Sequence, residues 1–250
     1  GLLRLSEALD LPAMQSLLAA QRLPADYVQA LSAQAASQRA GTALSRPAWC
    51  FTQGGWADPR ALVRAALALP GVSWCGSATV HSLEATRMGW CLRDQAGCAL
   101  GEAPLVILAN AEDALRLAGL PARWVQRSRG QLTWLDAPAV ATALPRCPIA
   151  SGAYVLATPE GGLVFGATTH EGDDEPRARD ADHEANLERA GSMLGTSPAR
   201  PSGALNGRVG WRISTRDRLP LVGGVPDLQS RWPARRDAPR LLPRQPGLLL

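Results

Sequence analysis

GRVGWRISTRDRLPLVGG, residues 207–224, sets the reading of the rest of the chain. It crowds five charged side chains, Arg208, Arg212, Arg216, Asp217 and Arg218, among glycines and β-forming residues, then turns into Leu219-Pro220-Leu221-Val222 and a Gly-Gly pair. A half-buried strand alternates apolar and polar residues, so charge packed into one extended segment calls for a partner. A guanidinium is a planar fork of donors that grips a carboxylate or phosphate at two points. Arg212, between Trp211 and Ile213, is the candidate to point at a ligand. Spacing alone leaves a second reading open, in which the arginines form a solvated edge that discourages strand addition.

Outward from this stretch, the neighbouring segments read as an antiparallel sheet. YVLATPEGGLVFGAT, residues 154–168, is a hairpin turned by Pro159-Glu160-Gly161. WVQRSRGQLTWL, residues 124–135, is a strand pair or a strand bent at Arg129-Gly130, with Arg127 and Arg129 on one face. Between hairpin and helix lies THEGDDEPRARDAD, residues 169–182, expected as a polar surface loop whose acidic side chains cap a helix over residues 183–194.

Further upstream, VSWCGSATVHSL (72–83) and GWCLRDQAGCAL (89–100) read as strands, the second turning at residues 94–97. Residues 105–108 are expected as a fully buried strand that passes through Ala109-Asn110-Ala111 into a helix. α/β proteins place ligands at such strand ends. The run WCFTQGGWADPRALVRAALAL, residues 49–69, joins a β-like piece to a helix opened by Asp58-Pro59, with Gly54-Gly55 allowing close backbone approach. Residues 2–18 and 26–39 carry apolar residues at helical spacing, so the first part of the chain is expected to be helical.

The chain has 250 residues, is 46% hydrophobic and can bury a large core as one domain or two interleaved ones. A net charge of +4 permits a nucleic-acid partner without demanding one. Five cysteines, with no C-x-x-C pair, are expected as reduced core residues of a cytoplasmic protein. No run reaches membrane-spanning length, and both ends read as cut from something longer. His81, His170 and His183 are too scattered for a metal site. His170 with Asp173, Asp174 or His183 competes against the plainer reading of a solvated loop. There is no G-x-S-x-G and no G-x-G-x-x-G. The arginines at 231, 235, 236, 240 and 244 supply basic charge to a tail that reads as a surface loop before a further strand.

The order QGGWADPRALVRAAL, PLVILANAEDAL, RSRGQLTWL, GGLVFGATTHEGDDEPRARDADHEANLERAG and GRVGWRISTRDRLPLVGGVPD resembles the FAD-dependent oxidoreductase part of the bifunctional tRNA 5-methylaminomethyl-2-thiouridine biosynthesis proteins. That family lies within the broader D-amino-acid oxidase and glycine oxidase group. The resemblance covers most of residues 49–227 and implies an α/β (α+β) fold, in which a substrate domain with an antiparallel sheet and helices interleaves with part of a Rossmann-like FAD domain. It implies residues 1–71 as the helical part of the substrate domain, 72–122 as a partial FAD domain, 123–220 as the antiparallel substrate sheet and 221–250 as the return towards FAD.

It also implies Arg212 as the substrate-carboxylate clamp, Arg129 and Thr168 as substrate-binding, and Gly54, Gly55, Ala109, Asn110 and Ala111 as cofactor-binding, with no metal. Asp217 is expected to pair locally, and Arg208, Arg216 and Arg218 to be structural or tRNA-facing. The implied reaction is oxidation of carboxymethylaminomethyl uridine at the tRNA wobble position, with the anticodon loop as partner and a methyltransferase domain elsewhere in the protein. A glycine or sarcosine oxidase and a redox-inactive RNA-binding fragment remain the alternatives.

Overall fold

The computed structural model describes residues 1–140, 143–195, 205–226 and 244–249. The first third of the chain forms β1 (Leu2–Leu5), α1 (Leu11–Gln21), β2 (Val28–Leu31), α2 (Ala33–Ala40), β3 (Ala48–Phe51) and α3 (Pro59–Leu67). Then come β4 (Ser82–Thr86), β5 (Gly89–Arg93), β6 (Ala99–Ala103), β7 (Val106–Ile107) and α4 (Glu112–Leu117). The second half holds β8 (Val125–Leu135), β9 (Ile149–Ser151), β10 (Ala153–Ala157), β11 (Leu163–Gly166), β12 (His170–Glu171), α5 (Asp180–Leu194), β13 (Asn206–Thr215), β14 (Gly224–Pro226) and β15 (Arg244–Leu249). The result is the mixed α/β architecture expected from the sequence.

Two compact units emerge: Gly1–Ala66 with Ser128–Trp211, and Leu67–Arg127 with Arg212–Leu250. The chain passes between them within α3, β8 and β13, inside regular elements. The first unit is built on a sheet of order β12-β8-β11-β10-β9-β1-β3-β2, with β13 also paired to β8. The pairings along that order are antiparallel except β1 with β9.

Local chemistry fixes the helix ends. The Asp10 carboxylate accepts from Ala13 N (2.9 Å) with Pro12 in the first turn of α1, and the Ser32 hydroxyl caps α2 through Ala35 N. Gly41 and Gly195 close α2 and α5 in the left-handed conformation. One face of the sheet contributes Leu3, Leu5, Ala48, Cys50, Leu135, Ile149, Val155, Leu163 and Phe165 to the core, and α5 packs on it through Leu187, Ala190, Met193 and Leu194. Those helical positions recur at three- and four-residue intervals, which puts them on one stripe.

The second unit holds the antiparallel meander β4-β5-β6 and a small sheet of order β14-β15-β7. Val106, Leu108, Ala114, Leu115, Ala118, Leu120 and Val225 form its core.

Several expectations are corrected. The first 71 residues are not simply helical: β1, β2 and β3 form one flank of the large sheet, because in Leu2-Leu3-Arg4-Leu5 the alternate residues Leu3 and Leu5 are buried. Helical spacing and strand alternation cannot be told apart over four residues. The strand at 105–108 shrinks to two residues and is buried on one side only, with Leu105 at 49% and Ile107 at 65% exposure. The strand expected from residue 72 begins at Ser82. Residues 125–135 run as one unbroken strand. Cys50 and Cys91 are buried as expected, whereas Cys75 and Cys98 are exposed. The arginines at 231, 235, 236 and 240 lie outside the described residues, and Arg244 opens β15.

Candidate active site

The inward face of β8 is polar before it is apolar: Arg129, Gln131 and Thr133 precede Leu135, and all four are buried. Opposite them, the first half of α5 presents Asp182, His183 and Asn186, and its second half the apolar stripe. Strand and helix therefore change from polar to apolar in step.

Arg129 is the hub of this layer. Its guanidinium is wholly enclosed and donates to Asp182 Oδ2 (2.7 Å), Gln131 Oε1 (3.2 Å) and the carbonyls of Glu175 (2.6 Å) and Arg177 (2.7 Å). Gln131 exchanges two bonds with the Arg179 backbone, and Asn186 donates to Gln131 O and Thr133 Oγ1. Thr133 Oγ1 lies 2.8 Å from His183 Nδ1. His170 Nε2 lies 2.7 Å from the second Asp182 oxygen.

Burial pushes the Asp182 carboxyl up, but hydrogen bonds from His170, Arg129 and Thr168 outweigh it, so its pKa lies below the ordinary value. Burial holds His183 below its ordinary pKa against the nearby Asp180 and Asp182 charges. Burial thereby favours the neutral imidazole.

This geometry places two implied site residues inside the fold. Arg129 spends its donors on its own chain with no exposed surface, and Thr168, 2% exposed, is tied to Gln131 N and Asp182. Both hold the 169–182 segment against β8. Most of that segment is exposed, as expected of a surface loop, but the carbonyls of Glu175 and Arg177 accept from a buried cation and Asp182 belongs to α5. The N-cap is Arg179, which makes no side-chain cap bond, so the acidic residues act from the first turn of the helix. Sequence reasoning passed over Asp182, Asn186 and Gln131 and weighed His183 only as a metal ligand. The polar run Arg129-x-Gln131-x-Thr133, at strand period, was the available signal.

The other face of this part of the sheet carries no residue of the core cluster. Register sets Leu132, Gly166 and Tyr154 in one row and Trp134, Val164 and Leu156 in the next, all partly exposed except the buried Gly166. A Cβ at Gly166 would sit 3.1 Å from Leu132 Cα, and the backbone there has φ +153°, so glycine is required. On β13, a Cβ at Gly207 would meet His183, which puts Gly207, Val209 and Trp211 on the α5 side and Arg208, Gly210 and Arg212 on the opposite one. Trp211 donates its indole N–H to Asp173 O (2.9 Å). Arg212, where the chain re-enters the second unit, is exposed, and its side chain makes no hydrogen bond or ion pair among the described residues.

The remaining implied residues fall in both units. A Cβ at Gly54 would press on Leu2 and Phe51 at 3.0 and 3.1 Å, so this glycine serves packing within its own unit, while Gly55 faces open space. Ala109, Asn110 and Ala111 form an exposed turn in the second unit, Ala111 at φ +56°, with Asn110 donating to Asp113. Beyond β13, Asp217 Oδ1 accepts from Thr215 Oγ1 (2.6 Å) and Leu219 N (3.1 Å), the local pairing expected of it. That turn and the segment at Arg123-Trp124 line a cleft of about 440 Å³. No group of three or more His, Cys, Asp or Glu side chains among the described residues is arranged to hold a metal ion.

The profile of the family described as FAD dependent oxidoreductase matches residues 1–245. The chain is 37% identical over 253 residues to the tRNA 5-methylaminomethyl-2-thiouridine biosynthesis bifunctional protein MnmC of Methylibium petroleiphilum, covering 98% of this chain and 39% of that protein. The protein of the same name from Ralstonia nicotianae is 35% identical over 266 residues, covering 99% and 40%. The chain thus spans about two fifths of the length of these relatives. In fold it is similar to the crystal structure of glycine oxidase from Geobacillus kaustophilus, with a TM-score of 0.69 at 20% identity over all of this chain and 64% of that one.

Proposed function

The chain belongs to the FAD-dependent oxidoreductase family, and on that premise we propose that it supplies the substrate sheet and part of the flavin-holding region of an oxidase acting on the tRNA wobble uridine. Residues 1–71 and 123–220 serve the substrate in this reading, and residues 72–122 and 221–250 serve FAD. The exposed small-residue turn at 109–111, which follows the exposed Ile107, offers a surface suited to a flat apolar ring.

The observation that carries the reading is Arg212: an exposed, unpartnered guanidinium on β13, inside the stretch most specific to the resemblance. A carboxymethylaminomethyl uridine bears a secondary amine beside CH2-COO⁻, a glycine unit with the nucleoside on its nitrogen. Arg212 clamps that carboxylate through two charge-assisted bonds and so fixes the adjacent C–H bond in place. FAD, when bound, supplies the two-electron oxidation. The substrate C–N bond becomes C=N with loss of two electrons and two protons; water adds to the imine carbon, and the C–N bond breaks to give the aminomethyl uridine and glyoxylate. Two MnmC relatives, named for tRNA 5-methylaminomethyl-2-thiouridine biosynthesis and as bifunctional, support a tRNA uridine as the substrate and a second activity in the same polypeptide. No helix among the described residues is long and apolar enough to cross a membrane.

In the protein carrying this chain, Arg212→Ala lowers kcat/KM on carboxymethylaminomethyl-tRNA by about 10- to 150-fold, the loss of a charge-assisted contact of about 1.5–3 kcal/mol, with flavin content unchanged. Unaltered turnover refutes the clamp. Faster turnover of free glycine than of the tRNA moves the protein to the amino-acid oxidases.

A further inference from the structure

The cleft on the second unit is basic and aromatic at once. Arg123, Trp124, Thr215, Arg216, Asp217 and Leu221 line about 440 Å³. Arg123 and Arg216 are exposed, and among the described residues neither makes a hydrogen bond or ion pair. The one carboxylate in the lining is already engaged: Asp217 Oδ1 accepts from the Thr215 hydroxyl and Leu219 N, and these bonds hold its pKa below the ordinary value. Thr215 Oγ1 also lies 2.8 Å from Leu219 O, and Arg218 N donates to Thr215 O (3.1 Å), so the turn that presents Arg216 is cross-braced. Trp124 is partly buried against the second core, which fixes the indole, and it reaches the cleft as well.

We infer that this cleft binds a nucleotide of single-stranded RNA, with Arg123 and Arg216 on phosphates and the base against Trp124. Stacking on an aromatic ring together with cations on the backbone is how single strands are held without sequence preference, and guanidinium suits phosphate. The cleft gives the proposed tRNA enzyme a grip outside the oxidised nucleoside, and in this it rests on the function proposed above. The ADP half of FAD has the same chemistry, a base and phosphates, and is the competing source.

The test is binding of a labelled RNA stem-loop to the wild-type protein and to Arg123→Gln/Arg216→Gln, from 50 to 200 mM salt, with flavin content measured in parallel. Losing two phosphate contacts flattens the slope of log K against log salt by about 1.4, and flavin content stays at the wild-type level. Trp124→Leu, checked for an unchanged melting temperature, weakens binding about 5- to 150-fold, the worth of one stacked base. Equal affinity and slope in the double variant overturn the inference while leaving the oxidase reading intact. Loss of flavin with RNA affinity retained also overturns it and assigns the cleft to the dinucleotide. A wild-type protein that binds no RNA at 50 mM salt overturns both.

Discussion

Asp182→Asn tests the buried layer beneath β8. The substitution keeps the shape and one acceptor for Arg129 Nη1 but removes the only carboxylate bonded to a guanidinium with no exposed surface, at 2.7 Å from a partner whose side chain is 5% exposed. Breaking a buried pair on one side costs about 3–5 kcal/mol, because the remaining charge is left uncompensated. The retained neutral bond returns about 0.5–1.5 kcal/mol, which leaves a loss of roughly 2–4 kcal/mol. For a chain of this size each kcal/mol lowers the melting temperature by about 2–4 °C, so thermal denaturation followed by circular dichroism should show a drop of about 4–16 °C. The partly buried pair Arg179 with Asp173 provides the comparison: Asp173→Asn should cost distinctly less. Replacing both partners, Arg129→Met with Asp182→Leu, should recover most of the loss. A shift of under about 2 °C for Asp182→Asn would show that the guanidinium finds other compensation, and the account of Arg129 as a structural hub would fail.

Gly207→Ala puts a Cβ 2.5 Å from His183 Cε1 and should cost about 1–3 kcal/mol of overpacking, read from the same melts. An unchanged melting temperature would mean that His183 moves aside freely. His183 titrates below its ordinary 6.5 through burial, so the unfolded chain takes up its proton first as pH falls. Stability should therefore decline as pH falls below about 6.5, and His183→Gln should flatten that decline; a steeper slope in the variant contradicts the assignment. Asp173 is held at about 2, first by the Arg179 side chain and then by the Glu175 N–H. Its contribution is present above the ordinary 3.8 and lost as pH falls towards 2, so fluorescence from Trp211, bonded to Asp173 O, should hold steady down to pH 3.8 and change below it. A transition completed above that pH refutes the link.

What the sequence disclosed follows from the range of the interactions involved. The hairpin at 153–166 and the turn after Cys91 were legible because glycine, proline and Asp94 act within a few residues. Arg129 was legible as an unusual residue and illegible as to role: its carboxylate lies 53 positions away in α5, and only tertiary packing decides whether a strand arginine faces a ligand or a helix. Tyr154, Leu156, Trp134 and Leu132 share rows through strand pairing, which no local pattern sets. Residues 2–5 failed for another reason, since four residues do not separate the two apolar periods and β1 takes its identity from β3 and β9.

The passages between the two units lie inside a helix and two strands. A protease that cuts exposed loops therefore finds no joint at which to part them, and neither unit can be expressed as one continuous stretch of gene. The first unit has all its strands only when residue 211 has left the ribosome, after the first stretch of the second unit has been made. Such a chain is poorly suited to exchange of parts between genes.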